Sequence, residues 1–337
     1  MRDRLISITY LRAFSALLIF CCHVAFIAGA FETSMWLNTG VPMFFIISAY
    51  LLSLKEDISS RRKSFYRRRL HSIFPAYWIY LASVVFVLFV IGRAPDIMSI
   101  ATFGMGLSGL TDGNILGLGH LWFITVLLIC YLLTPLLHHI CHVFSKRNRI
   151  VALSVLCVAQ FTLFILLKHP SYGIHVGSYI FVYCFYRLNG KDVSRMQTFV
   201  WACMALLFVA ARIGLDGLAS RYYYYDALFQ PVARFVIAMA LFAIFVYNSR
   251  WIESRASMTP CVHAAVSKFS DISYEVYLTH QFILLAFWEF ISVFHHGAGL
   301  FFWIIISLLA TVANSFLLAY CKRKSERIIR YNYKHIS

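Results

Sequence analysis

"YLRAFSALLIFCCHVAF", Tyr10 to Phe26, lies in an apolar run from about residue 8 to 30 and carries one arginine and one histidine. A segment that crosses the hydrocarbon of a bilayer needs about 20 predominantly apolar residues, and this run supplies them. Charged and titratable groups at that depth are costly, face a bundle interior or a wet cavity, and mark functional sites. Reading the stretch as a membrane helix therefore makes Arg12 and His23 the first residues to explain.

The rest of the chain agrees with a membrane setting. Of its 337 residues 61% are hydrophobic and 13% charged, and the mean hydropathy is +0.74. Apolar runs lie at about 8–30, 37–54, 73–92, 121–143, 149–167, 174–188, 197–215, 227–248, 272–294 and 298–321. They predict an all-α, polytopic membrane helix bundle of about ten transmembrane helices. Residues 1–337 read as a single membrane domain with no appended soluble domain. The Gly-rich "IMSIATFGMGLSGL" (97–110) reads as a re-entrant or interfacial piece; if it crosses, the count changes parity.

Charge placement tests this topology, because cytoplasmic loops collect Lys and Arg. With both termini cytoplasmic, the inner segments hold 24 of the 30 basic residues. The outer segments hold only Arg93, Lys168, Arg212 and Arg221, leaving Arg12 and Arg234 inside spans. The net charge of +16 is thereby accounted for without nucleic acid as a partner. Small residues at 27–30 resemble a cleavage site, but Arg12 interrupts the would-be signal core, so the first span is expected to stay uncleaved. Nine cysteines, mostly within spans, give neither a disulfide framework nor a metal spacing.

Eleven residues at 100° each fall about 20° short of or past whole turns, so Arg12 and His23 share one helix face about 16 Å apart along the axis. Arg12 lies nearer the cytoplasmic side, suited to an anion, and His23 lies deeper, suited to a proton or an acyl group. Taken singly, each has a plain reading: snorkelling for the arginine, a core hydrogen bond for the histidine. Together on one face they favour function.

The segments "YLRAFSALLIFCCHVAF", "TGVPMFFIISAYLL" (39–52), "FYRRRLHSIFPAYW" (65–78), "GHLWFI" (119–124) and "SYEVYLTH" (273–280) resemble, in order, the signatures of the acyltransferase-3 family of bacterial integral membrane O-acyltransferases. The resemblance runs from residue 8 to about 285. It implies a multi-pass protein of the bacterial inner membrane that takes an acyl group, usually acetyl, from cytoplasmic acyl-CoA as co-substrate, with no permanently bound cofactor and no metal. The acceptor it implies is a hydroxyl of a surface polysaccharide or lipid-linked glycan such as O-antigen. Two positions depart from the pattern. Ala49 replaces a glycine beside Ser48, and Ser72 stands three residues before Pro75 where a second arginine is expected, which leaves Arg69 as the matched member of that pair.

Roles follow from the resemblance together with the residue chemistry. His23 is the candidate base, or transient acyl acceptor, for a hydroxyl attacking a thioester; the sequence does not choose between these. Arg12 is the candidate that orients the donor or stabilises developing negative charge. Arg67, Arg68 and Arg69 form the candidate acyl-CoA phosphate site, since guanidinium groups bind phosphate bidentately. The same seven basic residues between Lys55 and Arg69 would serve equally as a topology anchor. Pro75 is expected to open the third span. Ser48, His120, Trp122, Tyr274, Glu275, Tyr277 and His280 are candidates for a supporting or acceptor pocket, with Glu275 or a tyrosine orienting His23.

Three further features carry less. His138 and His142 in "HHICH" lie four apart but find no third ligand and read as solvated; "RYYYYDALFQ" (221–230) reads as an interfacial aromatic belt; Arg234 requires a partner such as Asp226 or Glu289. The alternative class is a proton-coupled transporter or flippase, which predicts movement of a substrate without covalent change.

Overall fold

A computed structural model describes residues 2–56, 58, 61–111, 113–219, 225–290 and 298–336; within these, side chains are described over 6–215, 227–289 and 299–324. The described residues form helices and no strands: α1 (Arg2–Ile27), α2 (Phe31–Leu37), α3 (Gly40–Ser53), α4 (Arg62–Val90), α5 (Ile97–Gly104), α6 (Trp122–Val143), α7 (Lys146–Leu166), α8 (Pro170–Asn189), α9 (Arg195–Ala219), α10 (Gln230–Tyr247), α11 (Ser249–Met258), α12 (Pro260–Asp271), α13 (Ser273–Phe290) and α14 (Ala298–Ile336). Backbone polar groups satisfied within each helix are what hydrocarbon demands.

Among the described residues eight helices are long and apolar enough to cross a membrane, at residues 6–27, 31–53, 62–90, 119–143, 146–166, 195–215, 227–247 and 299–324. The chain is a polytopic helical membrane protein. The two remaining apolar runs of the sequence coincide with α8 and α13, which are helical but more polar. Their polarity has a cause in packing. α8 buries His175, Ser178, Tyr179 and Tyr183, and α13 buries Glu275, Thr279 and His280, so these groups meet protein instead of lipid. In the apolar windows of α7 and α9, by contrast, 6% of residues are buried. The 97–110 stretch folds as α5 and a single 3-10 turn; eight residues rise about 12 Å, too little to cross a core about 30 Å thick.

The chain divides into two compact units. Unit 1 comprises Met1–Ile19, Met35–Arg62 and Val126–Ser270. α3 is buried almost throughout and packs on α8 and α10, while α9 packs on α10 and α7 on α8. A Cβ at Gly40 would lie 2.6 Å from the Ser15 carbonyl oxygen, so glycine there permits the close approach of α3 to α1. α6 and α8 run parallel and share three polar contacts at a constant offset: Thr134 with Tyr179 at 2.7 Å, His138 with Tyr183 at 3.1 Å, and His142 with Arg187. Arg187 also donates to both Glu56 oxygens, at 3.1 and 2.7 Å, and to the Ser53 carbonyl at 3.1 Å. His138 is buried, which corrects its reading as a solvated residue: it repeats every fourth residue with Thr134 and His142 on the α6 face turned to α8.

Unit 2 comprises Phe20–Ser34, Lys63–Thr125 and Asp271–Ser337. α13 packs along α14. Phe20, Leu284 and the fully buried Trp303 form an apolar core with Val24, Phe287 and Leu308 around it, and the Trp303 indole donates to the Leu284 carbonyl at 3.2 Å. α4 begins at Arg62, so Pro75 lies inside it and does not open it. The basic segment thus continues the span as helix. Proline removes the donor that the carbonyl four residues earlier would use, and the neighbouring carbonyls draw side chains from other helices: Tyr274 hydroxyl donates to Ile73 O at 3.1 Å and Lys322 Nζ to Ser72 O at 3.0 Å.

Candidate active site

Unit 2 brings three imidazoles together. His23 lies in the last turns of α1, His120 in the 3-10 turn Gly119–Leu121 that leads into α6, and His280 in the middle of α13. Ring centroids are 4.8 Å apart for His23 and His280, 4.9 Å for His120 and His280, and 6.1 Å for His23 and His120. His120 and His280 are buried, whereas His23 is half-buried.

Backbone carbonyls fix two of the three tautomers. A carbonyl only accepts, so the nitrogen facing it carries the hydrogen. His120 Nε2 donates to Leu278 O at 3.1 Å; His280 Nδ1 donates to Tyr277 O at 2.8 Å and Val276 O at 3.1 Å. The opposite nitrogens, His120 Nδ1 and His280 Nε2, are buried and have no hydrogen-bond partner among the described residues. Each neutral ring therefore offers one lone pair. His120 is held at two more points: its N–H donates to Gln281 Oε1 at 3.1 Å, and its carbonyl accepts from the Tyr277 hydroxyl. Tyr277 also packs its ring on His120 and Phe123. This constellation presents half-fixed imidazole acceptors beside a more accessible imidazole, and it can receive hydroxyl protons. Among the described residues no three His, Cys, Asp or Glu side chains are arranged to hold a metal ion.

The polar strip of α13 is divided between two places. Tyr277 and His280 belong to the histidine cluster. Glu275 and Tyr274, a turn earlier, sit instead beside α4 and α14, where Glu275 Oε1 lies 3.7 Å from Lys322 Nζ. Glu275 thus faces an ammonium rather than the imidazole it was expected to orient. Trp122 begins α6, half-buried.

Arg67 and Arg68 are exposed on α4 and Arg69 half-buried. Arg68 Nη1 donates to Ser64 Oγ at 2.6 Å, and the Arg69 guanidinium lies 5.7 Å from the centre of the Phe65 ring. Arg12 and Ser48 belong to unit 1: Arg12 is half-buried on α1, and Ser48 Oγ donates to the Tyr131 hydroxyl at 3.4 Å. α1 is continuous through Arg12 and His23, so the shared helix face expected from their spacing holds. Arg234 donates to Met35 Sδ at 3.2 Å; Glu289, one of its two expected partners, is bound to Arg93 at 2.8 Å. The other, Asp226, and the tyrosines at 222–225 lie outside the described side chains.

Two participants were missed in the sequence. Gln281, an amide in an intramembrane helix next to His280, was itself a signal. Lys322 was absorbed into the basic tail as topology charge.

The family model described as an acyltransferase domain, that of the acyltransferase-3 family, matches residues 5–320. No curated protein and no solved structure matches.

Proposed function

Because the chain belongs to the acyltransferase-3 family, we propose that it is an O-acyltransferase of the bacterial inner membrane that moves an acetyl group from cytoplasmic acetyl-CoA to a hydroxyl of a surface polysaccharide or lipid-linked glycan such as O-antigen. In this reading all ten apolar runs cross, with both termini cytoplasmic.

The observation that carries the proposal is the convergence of His23, His120 and His280 at centroid distances of 4.8 to 6.1 Å. His23, the most accessible ring, takes the proton of the acceptor hydroxyl as its oxygen attacks the thioester carbonyl. The carbon–sulfur bond then breaks, and the leaving thiolate receives a proton. His120 and His280, fixed by their carbonyl contacts, pack against His23 and set the orientation of its ring. Arg12 orients the donor or offsets charge on the carbonyl oxygen, and Arg67, Arg68 and Arg69 hold the donor's phosphates. A transient acyl group on His23 followed by its transfer gives the same products.

A positioned general base contributes roughly 10²- to 10⁴-fold. Ester content of the surface glycan, compared between cells carrying the wild-type gene and His23→Ala at matched membrane levels, is the test. Ester is expected to disappear with His23→Ala; wild-type ester content in that variant overturns the reading.

A further inference from the structure

The sequence assigns the basic residues of α4 and those at 322–324 of α14 to separate cytoplasmic segments, yet the structure ties them together. The Lys322 ammonium donates to the Ser72 carbonyl at 3.0 Å across 250 positions of sequence. It lies 3.7 Å from Glu275 Oε1 and 6.0 Å from the centre of the Tyr274 ring. Tyr274 in turn donates to Ile73 O at 3.1 Å. α13 and α14 therefore grip α4 next to Pro75, one turn after Arg67, Arg68 and Arg69. Arg323 and Lys324 follow Lys322 immediately and are exposed. Glu275 is almost wholly buried.

A topology signal requires only that cations be present on one side of the membrane; it does not require them to be clamped together. A ligand with several phosphates does require that, because guanidinium and ammonium groups must reach phosphate oxygens at the same time. Ser72 adds no charge to α4 at the point of contact, and Lys322 adds one there.

We infer that the phosphate-binding surface for the acyl donor is built from two segments, Arg67, Arg68 and Arg69 of α4 together with Arg323 and Lys324 of α14, with Lys322 as the positioning residue that sets one against the other. The inference rests on acyl-CoA as the donor. The shared ligand chemistry is phosphate, which coenzyme A and anionic lipid headgroups both carry; the surface is assigned to coenzyme A.

The test uses the purified full-length protein in nanodiscs of zwitterionic lipid, with binding of CoA, 3′-dephospho-CoA and pantetheine measured for the wild type, Arg323→Ala/Lys324→Ala, Lys322→Met and Lys322→Arg. The exposed double variant is expected to lose about tenfold or more in affinity for CoA while pantetheine binding is unchanged, because only the phosphates meet this surface. Lys322→Met is expected to behave similarly, and Lys322→Arg to restore most of the affinity. Unchanged CoA binding in the double variant, or equal weakening of CoA and pantetheine, overturns the inference. So does a double variant that keeps CoA affinity but binds less phosphatidylglycerol in mixed-lipid nanodiscs, since the surface then serves lipid headgroups. Wild-type protein that binds no CoA fails the donor reading itself, an outcome distinct from wild-type binding that the variants leave intact.

Discussion

Replacing Tyr277 by phenylalanine removes a single oxygen from the histidine cluster and leaves its ring contacts with His120 and Phe123, at centroid distances of 5.2 and 4.8 Å, in place. In the cluster the hydroxyl donates to the His120 carbonyl. Side-chain hydrogen bonds within membrane proteins contribute about 0.6 kcal/mol on average and up to about 1.7. Tyr277→Phe should therefore destabilise the protein within that range, measured by SDS-titrated unfolding of purified protein in mixed micelles. His120 keeps two of its three ties, through Nε2 to Leu278 and through N–H to Gln281. Ester formation should accordingly fall by no more than about tenfold, the equivalent of about 1.4 kcal/mol, far less than in His23→Ala. A Tyr277→Phe protein as inactive as His23→Ala but undiminished in stability would refute the reasoning, because the hydroxyl would then be acting on the substrate and not on His120.

Gly117 has φ of +75°, and a Cβ there would stand 2.8 Å from Phe282 Cδ2 and 3.2 Å from Phe282 Cα. Gly117→Ala should cost at least about 1–2 kcal/mol from the backbone alone, seen as reduced SDS resistance, with activity falling as His120 and His280 shift; a fully stable alanine variant would contradict the described turn. Glu56 is held below its ordinary value of 4.5 first by the hydrogen bonds from Arg187 and then by that guanidinium's charge. A depressed carboxylate stabilises the fold above its unfolded value and loses that contribution as pH falls through the folded one. Glu56→Gln should therefore lose a small amount of stability at neutral pH and flatten the acid side of the profile below about 4.5 by that same amount, small because Glu56 is 75% exposed; a neutral-pH loss with an unchanged acid slope would run against this account.

Hydropathy made most of the helices legible, and the interruption of the first one by Arg12 and His23 was the clearest signal of function. It also reached α8 and α13, as the runs at 174–188 and 272–294, although both bury polar groups: His175, Tyr179, Glu275 and His280 meet protein and not lipid. Pro75 misled. A first-turn proline is the cheaper arrangement, yet α4 runs on through it, with donors from Tyr274 and Lys322 on the adjacent carbonyls. The meeting of His120 with His280 was readable only through family signatures, since no periodicity links a 3-10 turn to a helix so far away in sequence. Lys322 was hidden for a different reason: its charge had already been explained by topology.

The three contacts between α6 and α8 repeat every fourth residue on both helices. If α8 slid one turn along α6, by about 5.4 Å, Thr134 would face Tyr183 and His138 would face Arg187. Two donor–acceptor pairs would form again with exchanged partners. Such a ladder counts rungs but hardly names them, and it resists separation of the helices far better than it resists slippage. What distinguishes the native alignment is its last rung, where Arg187 engages His142, Glu56 and the Ser53 carbonyl together. Arg187 thus acts as the key that selects one setting of a sliding bolt, and its loss would leave the two helices joined but free to choose between neighbouring registers.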